Sequence, residues 1–266
     1  YTVSGTLMDK GTGEPALDDE GNEIVSSTTF TAEETCGTVE VTFTFKGASL
    51  AGKSLVAFES MDFEGTEYML HADIDDVEQT VAIVDIATQA HDVATGTNEA
   101  TLSEGVKLID TVAYTGLTPG NTYRLFTTLI DKATGNALTG DDGLPIVGMM
   151  QFTPESADGT VDVEVTLDTV ELAGHDLVFF EKLADEQENV IATHEDIDDE
   201  GQSVTAVEIG TVLVDASDGD HMVENGTVTV VDTVEYKGLV AGETYTAHGT
   251  IMDKATGMPL EDSEGN

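Results

Sequence analysis

Five polar side chains in the middle of this sequence have the types and spacing to carry out acyl chemistry. Glu181 ends the apolar run LVFFE, and His194 and Gln202 share the motif H-x-D-I-D-D-x-x-Q-[ST]-V. Thr111 lies in the predicted strand LIDTVAY, and Asp131 begins the turn DKATG. A threonine hydroxyl needs a base, which a neutral histidine can supply. A glutamine amide can be attacked if a protonated carboxyl group donates to its oxygen, and two carboxyl groups in a dry site share a proton at neutral pH. The product would be an ester, with ammonia released.

Each of these residues also has an ordinary explanation. An aspartate at a turn bonds nearby backbone donors, and threonine is common in strands. The alternative function is a calcium-dependent or other ligand-binding module without a cross-link, since the acidic DIDD core could bind calcium, although it lacks the spacing, central glycine and terminal glutamate of an EF-hand loop. Zinc is disfavoured because each motif has one histidine and no paired cysteines. A hydrolase is disfavoured because the chain has no G-x-S-x-G nucleophile turn.

The sequence repeats itself with an offset of 122 residues. The segments YTVSGTLMDKGTGEPA, YRLFTTLIDKATGNAL and YTAHGTIMDKATGMPL begin at Tyr1, Tyr123 and Tyr245. A fixed long period is the signature of tandem domains. No proline- or serine-rich linker separates the units, which predicts stiff junctions in a rod-like array. The chain divides into repeat 1 (residues 1–84, the later part of a unit), repeat 2 (residues 85–208, complete) and repeat 3 (residues 209–266, the opening of a unit).

The flanking repeats carry parts of the same polar set. Because repeat 1 starts in mid-pattern, we expect its threonine to lie upstream in a longer parent protein. We also expect that residues 223–266 of one molecule can complete repeat 1 of another, with Thr233 forming an ester to Gln79. The counterparts are Asp9, Glu59, His71 and Gln79 in repeat 1, and Thr233 and Asp253 in repeat 3.

Within each unit the pattern is that of β-strands. TVEVTFTF and TVDVEVTL alternate apolar and polar residues, and SLVAF and DLVFF are continuous apolar runs typical of buried strands. KATGN, LTPGN and SADGT mark turns. Short strands and glycine-rich turns over about 120 residues predict an all-β fold of tandem immunoglobulin-like antiparallel sandwiches.

The composition of the chain argues against several classes of function. Nine Lys and Arg residues against 53 Asp and Glu residues give a net charge of −44. Such a polyanion repels nucleic acid and anionic membrane surfaces. No apolar run is long enough to span a bilayer. The single cysteine, Cys36, allows no internal disulfide, so a secreted stalk would need another covalent staple.

These motifs resemble the VaFE-type repeats of Gram-positive surface adhesins, which are similar to Thr–Gln ester-bond domains. The resemblance rests on VAFE and VFFE, on D-T-V-x-Y, and on the H-x-D-I-D-D-x-x-Q-[ST]-V ending, and it covers essentially the whole chain. It implies an immunoglobulin-like stalk domain of an extracellular, cell-wall-anchored adhesin, with no cofactor or metal and no enzymatic turnover. Neighbouring repeats would be its partners.

The resemblance also implies residue roles. In repeat 2 an ester would join Thr111 to Gln202, promoted by Asp131, Glu181 and His194. Asp9, Glu59 and His71 would be the promoters in repeat 1, and Asp253 would be one in repeat 3. A Lys–Asn isopeptide bond fits less well, because the position of Lys107 is Thr229 in repeat 3 and the terminal motif contains no asparagine.

Overall fold

The computed structural model describes residues 1–239 and 241–260. Within these residues every regular element is a β-strand, apart from two single turns of 3-10 helix at Ala48–Leu50 and Val170–Leu172. No helix in the described part of the chain is long and apolar enough to cross a membrane.

Repeat 1 forms one antiparallel sheet with the strand order β2-β1-β3-β4, and β5 also pairs with β3. Its small core includes Leu7, Leu50 and Leu55. The strands are β1 (Thr2–Asp9), β2 (Val25–Thr29), β3 (Ser54–Phe63), β4 (Thr66–His71) and β5 (Thr80–Ala82).

The segment 38–45 of repeat 1 was predicted to be a strand, but the structure pairs it with no other strand among residues 1–239 and 241–260. Its residues still alternate between half-buried and exposed. The counterpart of this segment in repeat 2 is a strand because a neighbouring strand supplies its hydrogen bonds. Among residues 1–239 and 241–260 no strand lies beside segment 38–45 to supply these hydrogen bonds.

Repeat 2 contains two sheets. The smaller sheet has the order β12-β8-β6, and the larger has the order β10-β9-β13-β15-β7, with β11 on β9 and β14 on β13. The strands are β6 (Asp85–Asp92), β7 (Glu99–Ala100), β8 (Val106–Thr115), β9 (Tyr123–Asp131), β10 (Asn136–Ala137), β11 (Val147–Phe152), β12 (Gly159–Leu167), β13 (Asp176–Ala184), β14 (Val190–His194) and β15 (Ser203–Ala206).

The two sheets of repeat 2 pack face to face. Leu108 of the smaller sheet lies in one apolar cluster with Leu129 and Phe179 of the larger sheet. Val112 lies in a second cluster with Leu125 at the other end of the same strands. The predicted β-sandwich is therefore confirmed. Among the described strands its pairs are antiparallel, except for a short parallel pair of β15 with β7.

Repeat 3 forms two hairpins, with β16 paired to β17 and β18 paired to β19. The register of the first hairpin matches that of β6 on β8, because Thr211 pairs with Val234 as Thr88 pairs with Val112. The strands are β16 (Glu208–Asp215), β17 (Val230–Lys237), β18 (Met252–Asp253) and β19 (Met258–Pro259).

The junctions between repeats are close-packed at two counterpart glycines. A methyl group on Gly116 would lie 3.1 Å from the Ala82 side chain, and one on Gly238 would lie 2.5 Å from the Thr205 side chain. Both glycines have positive φ, at 81° and 82°, which disfavours any other residue there. Repeat 1 thus packs against one end of repeat 2, and repeat 3 packs against the end that carries Thr205.

Candidate cross-linking site

Gln202 and Glu181 form a buried pair in the larger sheet of repeat 2, and both are fully buried. Gln202 directly precedes β15, and its backbone oxygen accepts a hydrogen bond from Phe179 at 3.0 Å. Its side-chain Nε2 donates to Glu181 Oε2 at 2.7 Å and to the backbone oxygen of His194 at 3.2 Å. Gln202 Oε1 is buried and accepts no hydrogen bond from the described residues. The amide carbon therefore lies beside a carboxyl group, and the oxygen of the amide has no donor.

His194 is held against Glu181 and oriented by an aspartate. His194 and Glu181 face each other in the pairing of β13 with β14. His194 Nε2 lies 3.0 Å from Asp199 Oδ2, which favours the tautomer with the proton on Nε2. His194 Nδ1 is buried and finds no partner within the described part of the chain. In that tautomer Nδ1 carries a lone pair and can accept a proton.

A second carboxyl group, Asp110, completes a buried acid pair. Asp110 lies on the inner face of β8 and, like Glu181, has no solvent exposure. Burial raises the pKa of Asp110 to about 6, while the nearby side chains of Glu181, His194 and Thr88 act to lower it. Burial, followed by the charge of Asp110, raises the pKa of Glu181 to about 9. Around neutral pH the pair therefore holds a proton. Thr127 Oγ1 donates to Glu181 Oε1 at 3.1 Å.

Thr88 brings a hydroxyl group to this site from β6. The residue lies on the strand face that also carries Ile86 and Ala90, which are buried. Thr88 Oγ1 is inaccessible to solvent and has no hydrogen bond of normal geometry to any described group. A hydrogen bond of 2.8 Å from the Ala90 N–H to the Gly201 oxygen ties β6 to the residue before Gln202. β6 also contacts β14, which carries His194.

The structure does not bring Thr111 to Gln202. Thr111 is the neighbour of Asp110, and successive side chains of a strand point to opposite faces. Because Asp110 faces the interior, Thr111 faces outward, where its Oγ1 donates to Asp162 Oδ1 at 2.7 Å in an exposed position. Its counterpart Thr233 likewise lies next to Asp232 on β17, and in the hairpin register it pairs with Val212.

Asp131 is also away from the site. It pairs with Leu177, whereas Glu181 pairs with Thr127, and four residues along a strand span about 13 Å. Asp131 accepts from the Ala133 N–H at 2.8 Å and lies 3.1 Å from His175 Nδ1, so it has the turn role that is ordinary for an aspartate.

The counterparts of Asp131 serve the same turn. Asp9 accepts from the Gly11 N–H at 2.9 Å and pairs with Lys53 at 2.9 Å, and these contacts, led by Lys53, lower its pKa. Asp253 accepts from the Ala255 N–H at 2.8 Å. The recurrence of this aspartate therefore reflects a shared turn.

Repeat 1 assembles its own Glu, His and Gln in the same way. Glu59 faces His71 in the pairing of β3 with β4. His71 Nε2 lies 3.2 Å from Asp76 Oδ2. With its amide nitrogen turned toward Glu59, Gln79 donates to the two carboxylate oxygens at 3.1 and 3.2 Å. Burial raises the pKa of Glu59, although this site is more open than that of repeat 2.

The acidic DIDD motif is used for turns. Asp196 Oδ1 accepts from the Asp198 N–H at 2.9 Å, and Asp199 Oδ1 accepts from the Gly201 N–H at 2.7 Å. In the ranges that the structure describes, no three His, Cys, Asp or Glu side chains are grouped to hold a metal ion. Cys36 is exposed.

Two residues of the site, Thr88 and Asp110, were missed by sequence reasoning. A signal for Thr88 exists, because DIATQAHD and EIGTVLVD align at an offset of 123 residues and keep a threonine, Thr88 or Thr211, at the fourth position. Asp110 directly precedes Thr111 in the D-T-V-x-Y motif, and Asp232 is its counterpart. Strand alternation makes only one residue of that D-T pair point inward, and the sequence does not show which.

Comparison with known proteins identifies the family of this chain. The model of the T-Q ester bond containing domain matches residues 1–83, 84–206 and 207–265, so the chain belongs to this family. No curated protein sequence matches it. Solved structures similar to it include a bacterial adhesin from Mobiluncus mulieris containing intramolecular disulfide, isopeptide and ester bond cross-links, in two crystal forms. Their TM-scores are 0.40 and 0.38 and their identities 13% and 14%, covering 59% of this chain and 74% of that chain. A β-glucuronidase from Bacteroides uniformis is similar with a TM-score of 0.34 and 10% identity, covering 79% of this chain and 24% of the enzyme.

Proposed function

We propose that repeat 2 cross-links itself through an ester between Thr88 Oγ1 and the side-chain carbon Cδ of Gln202. The hydroxyl oxygen attacks Cδ, the bond between Cδ and Nε2 breaks, and the nitrogen leaves as ammonia with the hydroxyl proton. Each domain reacts once, so this is self-modification without turnover of a substrate.

The proton transfers of this reaction are assigned to the polar side chains around Thr88 and Gln202. His194 takes the hydroxyl proton on Nδ1 and later passes it to the departing nitrogen, as the base of a catalytic triad does. Asp199 holds the imidazole in the required tautomer. Before the reaction Glu181 Oε2 accepts from the amide nitrogen. When Thr88 attacks, the protonated form of Glu181 turns its proton to the amide oxygen, where negative charge develops, and the charge of Asp110 favours that protonated form.

The observation that carries this proposal is a concentration of buried polar atoms that lack partners. The buried side-chain atoms without a hydrogen bond among the described residues are Thr88 Oγ1, both carboxylate oxygens of Asp110, His194 Nδ1 and Gln202 Oε1. An unsatisfied buried polar group costs about 1–3 kcal/mol, so such a cluster calls for an explanation. All four residues belong to one site, and the proposed reaction uses each of these groups.

The cross-link suits a load-bearing stalk of a surface adhesin. Gln79 precedes Thr88 by nine positions, and Gln202 precedes Thr211 by nine positions. Esters at these residues would carry tension from one repeat to the next through a nine-residue segment, bypassing most of each sandwich. The ester also closes the loop of more than about 100 residues between Thr88 and Gln202, which stabilises the fold by about 5 kcal/mol on the chain-entropy estimate used for disulfides. The role implies an extracellular protein anchored to a Gram-positive cell wall, as the sequence resemblance does.

The intact mass of the denatured chain tests the proposal. We expect a deficit of one ammonia molecule in the parent chain. The deficit should vanish in Thr88→Ala and Gln202→Ala and persist in Thr111→Ala, the matched control on the outer face of the neighbouring strand. A parent chain of full mass would overturn the proposal.

A further inference from the structure

We propose that Thr127 is a positioning residue for the ester reaction of repeat 2, because its hydroxyl group fixes which oxygen of Glu181 carries the carboxyl proton. The inference rests on the proposed function and concerns the delivery of that proton to the Gln202 amide. The proton moves from Glu181 Oε2 to the amide oxygen as Thr88 attacks, and it returns to Oε2 when the carbonyl group of the ester forms.

Glu181 lies between Thr127 and Gln202 in the larger sheet. On one edge of β13, Glu181 is the pairing partner of Thr127 on β9. On the other edge, β13 pairs with β15, which directly follows Gln202. A strand therefore separates Thr127 from the amide, and Thr127 acts on the reaction through Glu181.

The two carboxyl oxygens of Glu181 have different partners. Thr127 Oγ1 lies 3.1 Å from Oε1, and Gln202 Nε2 lies 2.7 Å from Oε2. Thr127, Glu181 and Gln202 have no solvent exposure, so bulk water replaces neither hydrogen bond. Oε2 is therefore the oxygen beside the amide, and Oε1 is the oxygen held by β9.

The hydroxyl group of Thr127 acts as a donor toward Oε1. A hydroxyl carries one proton to donate and two lone pairs that accept, and Oε1 is the only hydrogen-bond partner of Thr127 Oγ1 in the described part of the chain. If Oε1 held the carboxyl proton, Thr127 would have to accept it, and the threonine proton would be buried without an acceptor, which is costly. The proton therefore belongs on Oε2, whose lone pair still accepts from the amide N–H.

Two other titratable groups face Glu181. Asp110 faces it from β8 in the smaller sheet, and His194 faces it from β14. Burial, followed by the charge of Asp110, raises the pKa of Glu181, whereas the hydrogen bonds from Thr127 and Gln202 act to lower this pKa. Asp110 thus governs how readily Glu181 is protonated, and Thr127 governs where the proton lies.

The residue at the position of Thr127 differs between the repeats. Its counterparts are Gly5 in repeat 1 and Gly249 in repeat 3, so repeat 2 alone has a hydroxyl group there. The neighbouring strand makes room for it at Gly148, where a methyl group would lie 2.7 Å from Thr127 Cγ2. The counterpart of Gly148 in repeat 1 is the larger Ser26.

Repeat 1 fills the same space with an aromatic ring. Gly5 pairs with Glu59 as Thr127 pairs with Glu181, and a methyl group on Gly5 would lie 2.5 Å from the ring of Phe43. The counterpart of Phe43 in repeat 2 is the smaller Val165. The threonine of repeat 2 is thus matched by two smaller neighbours, which indicates that the packing is built to hold its hydroxyl beside the carboxyl group.

Substitutions of Thr127 in the full chain test the proposal. Thr127→Val keeps the shape of the side chain and removes the hydroxyl, Thr127→Ala removes the hydroxyl from a smaller side chain, and Thr127→Ser keeps the hydroxyl. We expect the two variants without a hydroxyl to form the ester about tenfold more slowly at neutral pH, the effect of one lost hydrogen bond. Thr127→Ser should react at close to the parent rate. The matched control is Thr128→Val on the outer face of the same strand, which should keep the parent rate.

The rate is measured as a function of pH. Newly synthesised chains from a cell-free system are transferred to buffers between about pH 6 and about pH 10, the range in which the acid of the site titrates, and the loss of ammonia is followed by intact mass. Because the Thr127 hydrogen bond lowers the pKa of Glu181, its removal raises that pKa, and Glu181 keeps its proton to higher pH. The alkaline fall of the rate should therefore move to higher pH in Thr127→Val and Thr127→Ala.

The outcomes separate this inference from the proposed function. If the parent forms the ester and Thr127→Val matches its rate and pH profile, the inference is overturned and the proposed function stands. The inference is also overturned if Thr127→Ser slows as much as Thr127→Val, or if the rate falls by one factor at every pH, because either result shows a role in packing alone. A parent chain that keeps its full mass at every pH overturns both proposals.

Discussion

Asp110 and Glu181 place two carboxyl groups together in the interior of repeat 2, one from each sheet of the sandwich. Their pKa values are raised to about 6 and about 9, with burial as the first cause in both cases. An arrangement that keeps one proton between two buried acids costs folding energy. In the proposed reaction this proton serves the Gln202 amide, which needs an acid at neutral pH.

The raised pKa values predict how stability depends on pH in a chain that cannot form the ester. For Thr88→Ala, the folded state holds more protons than the unfolded state once pH exceeds the ordinary carboxyl pKa. The free energy of unfolding should therefore be highest at acidic pH and fall as pH rises toward about 9, by up to about 1.4 kcal/mol per pH unit and per proton. Urea midpoints measured across this range check the slope. Unchanged stability from pH 5 to pH 9 would contradict a buried acid pair.

Removing the acid should slow ester formation without changing the shape of the site. Glu181→Gln keeps the volume and loses the carboxyl proton, so we expect the rate to fall by about 10²-fold or more, the usual contribution of a general acid. Asp131→Asn is the matched control, because Asp131 lies in a turn away from the site. The ammonia deficit is followed by mass spectrometry after synthesis in a cell-free system. If the rate of ester formation fell equally in Glu181→Gln and Asp131→Asn, the result would show that Glu181 has no special role.

The pairing of His194 with Asp199 predicts that substituting the histidine lowers the rate of ester formation more than substituting the aspartate does. His194→Ala removes the base and should stop ester formation. Asp199→Asn leaves the imidazole but no longer fixes its tautomer, and a similar change in a catalytic triad lowers the rate by about 10⁴-fold. The same mass assay compares these variants with Asp198→Asn, the neighbouring aspartate, whose rate should stay at the parent value. An Asp199→Asn rate equal to that of the parent would exclude the positioning role.

Loss of the cross-link should lower thermal stability. We expect Thr88→Ala to lose about 5 kcal/mol relative to the parent, from the loop that the ester closes, which corresponds to a drop in melting temperature on the order of 15 °C. Thr111→Ala removes a hydroxyl from the exposed face of an adjacent strand and should change the melting temperature by only a few degrees. Calorimetry of the repeat 2 transition in the full chain measures both. Equal melting temperatures for Thr88→Ala and the parent would contradict the covalent loop.

The sequence predicted the all-β sandwich and the family, because apolar alternation and the internal repeat are expressed directly in the order of residues. It also identified Glu181, His194 and Gln202, which the structure brings together. The sequence does not show that Thr111 faces outward and Thr88 faces inward, because the direction of a strand residue depends on which face meets the second sheet. That face is defined by contacts between residues far apart in the chain.

The recurring aspartates show a second limit of sequence reasoning. Asp131 and its counterparts repeat because each unit needs the same turn, and a structural repeat cannot be separated from a chemical one by spacing alone. Asp110 repeats equally well as Asp232, but its carboxyl group is identified as part of the site only by burial beside Glu181.

The most direct test of the account is to locate the bond in the folded, wild-type chain by tandem mass spectrometry of a proteolytic digest. We predict a branched fragment in which the peptide containing Thr88 is joined to the peptide containing Gln202, lighter than their sum by one ammonia molecule and separated by mild alkali. A fragment joining Thr111 to Gln202, or the two peptides recovered separately at full mass, would contradict it.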